Sequence, residues 1–149
     1  MSYAISMTIQ TQLRRERPAW VTEYLQAVVS KDPAAGRGRG PDLAAGAPHY
    51  QWAEYLPERD WFTGVPCGLA PGVTADTERF WLASDFHDDF TQHDTFFMEL
   101  IANYTAEDRI IGSIWNDMSA TKFTQYAAIG GDLHLLSVDG GWHPANSES

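Results

Sequence analysis

Residues 106–138 read AEDRIIGSIWNDMSATKFTQYAAIGGDLHLLSV, and whether this stretch is helical or stranded decides the fold. Ile110, Ile111, Ile114, Trp115 and Met118 fit one face of a helix, with Thr105 and Asp108 placed to cap it. Gly112 would then sit in the helix interior, where glycine is unfavourable. The β-branched and aromatic content of 110–138, with little Lys or Glu, instead favours strands. Gly130-Gly131 and Asp139-Gly140 lie between apolar runs as two-residue links, the signature of tight hairpins whose central residues need positive φ. The stretch is therefore read as strands at about 109–115, 121–129 and 132–138.

Working outward, RFWLASDF (79–86) alternates Phe80, Leu82 and Phe86 against Arg79, Trp81, Ala83 and Asp85, the period of another strand. DFHDDFTQHD (85–94) then gives a strand end, an acidic turn and a capping box of Thr91 and Asp94. A helix follows with Phe97, Leu100, Ile101 and Tyr104 inward. At the other end of the chain, residues 3–13 alternate with Tyr3, Ile5, Met7, Ile9 and Leu13 on one side. Pro18 opens a helix carrying Trp20, Val21, Tyr24, Leu25 and Val28, which Lys31-Asp32-Pro33 closes. Residues 32–76 are rich in Gly, Pro and Ala yet carry Trp52, Tyr55, Trp61 and Phe62, so they read as an irregular aromatic insertion within one domain spanning 1–149. The order is β-α, insertion, β-α-β-β-β. This predicts an α+β fold, a mainly antiparallel sheet with two helices on one face, ferredoxin-like with an irregular insertion.

RFWLASDFHDDFTQHDTFFMELIANYTAEDRIIGSIWND, TKFTQYAAIGGDLHLL and the opening strand with its Pro-Ala-Trp-Val helix start resemble a group of uncharacterised small bacterial α+β proteins. The resemblance covers residues 1–30 and 79–136. It implies this fold and carries no activity or site residues with it.

Composition narrows the function classes. The 149 residues are 44% hydrophobic and 13% aromatic, too apolar for a disordered chain. No continuous apolar run is long enough to span a membrane. The N-terminus lacks the pattern of a signal peptide, and Cys67 is alone, so a reducing cytoplasm is the expected compartment. Residues 1–41 hold six basic and three acidic side chains, and residues 42–149 hold four and seventeen. An acidic body of that kind disfavours nucleic acid and steers toward a basic protein partner.

No catalytic signature emerges. A nucleophile elbow, a phosphate-cradling loop and paired histidines at metal-binding spacing are all missing, so no cofactor and no metal are expected. NDMSATKFT (116–124) looks like the second metal motif of class I terpene cyclases, but Ala120 and Thr124 stand where magnesium needs a hydroxyl and a carboxylate. In DFHDDFTQHD the side-chain directions diverge, and aspartates at a turn and helix start satisfy free amides there. The surface with more promise is the sheet face away from the helices. Alternation brings Trp81, Asp85 and His87 to one side, and Trp115, Tyr126 and His134 are candidates to join them as binding residues.

The leading expectation is a small acidic, non-enzymatic protein-interaction module of the immunity or inhibitor type. Its partner would be a protein, a basic one by charge, or a second copy of the chain. The alternative is a small-molecule-binding or enzymatic domain with a pocket between sheet and insertion, using Asp85 and His87 with His93 or His134.

Overall fold

A computed structural model describes residues 4–30, 67–87, 94–116, 123–137 and 139–145. They form strands β1 (Ala4–Arg14), β2 (Cys67–Pro71), β3 (Thr77–His87), β4 (Arg109–Asn116), β5 (Phe123–Ile129), β6 (Asp132–Leu136) and β7 (Trp142–Pro144), with helices α1 (Ala19–Ser30) and α2 (Asp94–Asn103). All seven strands join one sheet in the order β2-β3-β1-β4-β5-β6-β7, and every neighbouring pair is antiparallel. The fold is α+β, and the described residues of 109–137 form the strands Arg109–Asn116, Phe123–Ile129 and Asp132–Leu136, as composition predicts.

The sheet is assembled by two kinds of connection. β1 and β2 run the same way with β3 between them, so the chain needs α1 to carry it across. α2 likewise carries it from β3 past β1 to β4. From β4 onward each strand pairs with the next. Gly130 and Gly131, both at positive φ (62° and 84°), make the two-residue turn between β5 and β6. The Asp108 carboxylate accepts from the Gly130 amide at 2.8 Å and ties that turn to the loop after α2.

Alternation in β1 sends Met7, Ile9 and Leu13 inward, where they are fully buried, and leaves Thr8 and Gln10 exposed. Phe80 and Leu82 of β3 join the same core, as do Val21, Tyr24, Leu25 and Val28 of α1. Phe97, Leu100 and Ile101 of α2 close it, with Phe97 edge-on to Phe80 at 6.1 Å between ring centres. Each of these positions is one that periodicity marks as apolar and inward. Burial of the Tyr24 phenol raises its pKa well above 10.0, because the charged form would lose its water. Thr11 is the polar exception on the inner face of β1, and its hydroxyl pairs with that of Thr105 at 3.1 Å.

Two strands correct the sequence expectation. Residues 67–71, assigned to an irregular insertion over 32–76, form β2 at one edge of the sheet, and 142–144 form β7 at the other. Both are short and end in proline (Pro71 and Pro144), which suppresses the strand signal and suits only an edge. Their presence makes the sheet, rather than the helices, the larger part of the described fold. Residues 32–66 of that insertion, and Thr91 and His93 of the expected capping segment, lie outside the described residues.

Candidate functional site: the open face of the sheet

Strand register lays out the face opposite the core in rows. Gly68, Trp81 and Gln10 form one, along β2, β3 and β1. Ala83, Thr8, Ser113 and Gln125 form the next, along β3, β1, β4 and β5, and Leu136 pairs with Trp142 on β6 and β7. Ser6, Trp115 and Phe123 form a third, and Ile110, Ala127, His134 and Pro144 a fourth beyond the irregularity in β4.

That irregularity shapes the face. The register between β4 and β5 shifts between Ile110 and Gly112, the mark of a β-bulge. The bulge lets Ile111 turn into the core while Ile110 stays 53% exposed. Gly112 packs against β1 so closely that a Cβ there would lie 2.1 Å from the Thr8 carbonyl oxygen.

Large apolar side chains concentrate here. Among the described residues the exposed ones are Val73, Ile110, Trp115 (44% exposed) and Phe123 (52%), and all but Val73 belong to this face. Trp115 and Phe123 stand directly opposite each other on β4 and β5, so they make one aromatic ridge. Beside the ridge lies an open hollow of about 420 Å³, lined by Thr8, Gln10, Ser113 and Gln125 with the bulge residues Arg109 to Gly112. It exists because small side chains, Thr8 and Ser113 on adjacent strands, sit between bulkier neighbours. A volume near that of small ligand clefts, with polar side chains on its floor, can take up a protruding side chain or a small molecule.

The predicted binding residues separate on inspection. Trp81, Trp115 and His134 do lie on the open face by register. Trp81 is half-buried and committed locally: its ring occupies the space where a side chain at Gly68 would be, 2.3 Å from ring carbon Cζ2, and the Arg79 guanidinium covers it at 5.1 Å. His134 turns its Nδ1 toward the Asp132 carbonyl at 3.2 Å. Tyr126 is a correction. It is on the opposite face, buried in the core between Gly112 and Leu135, because one-residue alternation puts it across from Phe123's side. Asp85 and His87 sit in β3 opposite Ser6 and Ala4, and their side chains lie outside the described part of the structure. Ile110, Phe123 and the hollow were missed from the sequence. The polar half of the 3–13 alternation held the signal for Thr8 and Gln10.

Charge is segregated. Arg79 and Arg109 stand on or beside the face; of its carboxylates, Asp132 falls at a margin and the position of Asp85 lies in the row of Trp115 and Phe123. The rows of Gln10 and Ser113 contain none, on a chain with twenty acidic residues. Among the described residues no group of three His, Cys, Asp or Glu side chains is placed to hold a metal ion, and no helix is long and apolar enough to cross a membrane.

A second depression, about 710 Å³, lies at the sheet end between Arg14–Glu16, Thr74–Thr77 and Ala106–Glu107. Its charges alternate in sign, and Arg14 is engaged over the Tyr104 ring at 5.5 Å. It offers no cluster of one chemistry.

Compared with protein-family models, curated proteins and solved structures, the chain matches none.

Proposed function

We propose that this chain is a non-enzymatic protein-binding module that docks through the open face of its sheet, built on a ferredoxin-like unit. For the unit, the support is the order β2-β3-β1-β4 with α1 after β1 and α2 after β3, a split βαβ arrangement whose helices share one core. β5 to β7 extend that unit sideways. For the function, the carrying observation is the exposed ridge of Trp115 and Phe123 on the same face as Ile110, next to rows at Ser113 and Gln10 that carry no carboxylate. Aromatic and Arg enrichment with depletion of Glu, Asp and Lys is the composition of an interface centre. The edges are poor alternatives, since each ends in proline. An inhibitor role toward a basic partner, which net charge suggests, would draw on the acidic surface outside this face.

The test is capture of a partner by immobilised protein. A partner held by wild type and by Gln26→Ala, a change on exposed helix surface, should be lost with Trp115→Ser/Phe123→Ser. Equal retention by all three proteins refutes docking through the face.

The small-molecule reading has one observation in its favour, the 420 Å³ hollow. Its described polar lining is Thr8, Gln10, Ser113 and Gln125.

A further inference from the structure

The ridge and the hollow lie side by side on the same two strands. Trp115 stands two residues from Ser113 and five from Ile110 along β4, roughly 7 and 15 Å at strand spacing. Phe123 stands two residues from Gln125 along β5. A surface with a knob next to a hole is complementary to itself when rotated by half a turn about an axis between them. That is the requirement for a two-fold interface, in which residue i meets j and j meets i.

We propose that the occupant of the open face is a second copy of this chain, packed sheet to sheet about a two-fold axis near Ser113. Each copy's Trp115–Phe123 ridge enters the other's hollow. This rests on the protein-docking reading above and names the partner.

Three features support the pairing. Each chain carries a net charge of −10, so two copies repel wherever carboxylates face each other, and the rows of Gln10 and Ser113 around the proposed axis carry none. The half-turn brings Arg109, beside the hollow, toward the Trp115 and Phe123 rings of the other copy, a favourable cation–aromatic contact. Seven strands ~4.8 Å apart and about six residues deep give roughly 650 Å² of flat surface, before side-chain relief, against the ~800 Å² per partner of a stable interface.

The charge balance also gives the pairing a distinctive salt response. Salt screens the repulsion between two acidic bodies and strengthens the dimer, whereas a basic partner would be released.

Sedimentation equilibrium on the purified chain from 1 to 100 µM, at 20 and 500 mM NaCl, tests this. The expected result is a species of twice the 16.6 kDa chain mass, tighter at high salt. Trp115→Glu, which charges the knob, and Ser113→Trp, which fills the hole, should each weaken it at least tenfold with circular dichroism unchanged. If Trp115→Glu does not fold, Ser113→Trp decides alone. A monomer at 100 µM with native dichroism overturns the second-copy assignment. A dimer indifferent to both substitutions also overturns it, by placing the contact elsewhere. The docking reading falls separately, by face-independent capture of another protein.

Discussion

Removing the Glu78 carboxylate should destabilise the fold far more than loss of a surface ion pair. Glu78 lies in β3 between Leu13 of β1 and Pro71 of β2. One carboxylate oxygen accepts from Nη2 of Arg17, and the other lies 3.8 Å from Arg15. The Arg17 side chain is only 2% exposed, whereas that of Glu78 is 23% exposed. Nη1 of Arg17 donates to the Arg14 carbonyl at 2.8 Å, while its buried Nε has no hydrogen-bond partner. The guanidinium charge is thus balanced chiefly by Glu78. An exposed pair contributes about 0–1 kcal/mol, and stripping the partner from a buried charge costs about 3–5 kcal/mol. Glu78 is partly wet and one Arg17 bond survives, so Glu78→Ala should cost about 2–3 kcal/mol, a 30- to 150-fold loss in the folding equilibrium. Urea unfolding followed by circular dichroism measures it, with an unchanged m-value showing that stability alone has moved. Adding Arg17→Met should recover much of the loss, because the orphaned charge goes with it. A Glu78→Ala cost below about 0.5 kcal/mol, or strictly additive costs in the double variant, would refute the reasoning.

Other outcomes follow from local geometry. Gly112→Ala forces a Cβ to 2.1 Å from the Thr8 carbonyl, and backbone cannot rotate away, so it should cost about 3 kcal/mol or more in the same urea assay. Gly131→Ala meets no steric neighbour but must hold φ at 84°, so it should cost about 1–2 kcal/mol and leave the core spectrum unchanged. Asp139 accepts from the Ser137 hydroxyl and from the Gly141 amide at 2.8 Å, with His143 3.4 Å away, and these lower its pKa from 3.8 to about 2. A depressed folded-state pKa means the stabilisation is complete above pH 3.8 and fades as pH falls toward 2. Amide exchange in β7 should accelerate across that window, and Ser137→Ala should move the Asp139 midpoint upward by NMR titration.

What was legible in the sequence is what depends on near neighbours along the chain. Met7, Ile9 and Leu13 alternate, Val21 to Val28 recur at helical spacing, and Gly130-Gly131 dictates a turn, so each element could be read locally. The candidate site depends instead on register between strands far apart in sequence. Thr8 and Ser113 form the floor of one hollow across 105 residues of chain, and no local pattern states that they pair. FTQYAAI illustrates the difficulty. Alternation assigns Phe123 and Tyr126 to opposite faces, and both are aromatic, so composition alone cannot say which one is exposed. Pairing with the bulged β4 settles it in favour of Phe123. The edge strands escaped for another reason, since their prolines and glycines are turn residues by composition and strand residues only beside a partner.

The distribution of unfavourable groups explains why docking should use the face and not the edges. An antiparallel sheet offers a partner two routes: unpaired backbone groups at its edges or side chains on its open face. Here β2 and β7 are short and each closes on a proline, which withdraws an amide donor at the position where an added strand would extend. The face shows the opposite treatment. Trp115, Phe123 and Ile110 stand exposed to solvent on either side of the Ser113 row, although a sheet face open to water would cost less with polar side chains there. Carboxylates, which outnumber basic groups two to one in the chain, are missing from the rows of Gln10 and Ser113 on that surface. Blocked edges, a half-exposed apolar ridge and carboxylate-free rows beside it have a common consequence. Each raises the relative affinity of the face for a surface that sets an apolar ridge beside rows free of carboxylates, and, on the pairing proposed above, the chain's own open face is that surface.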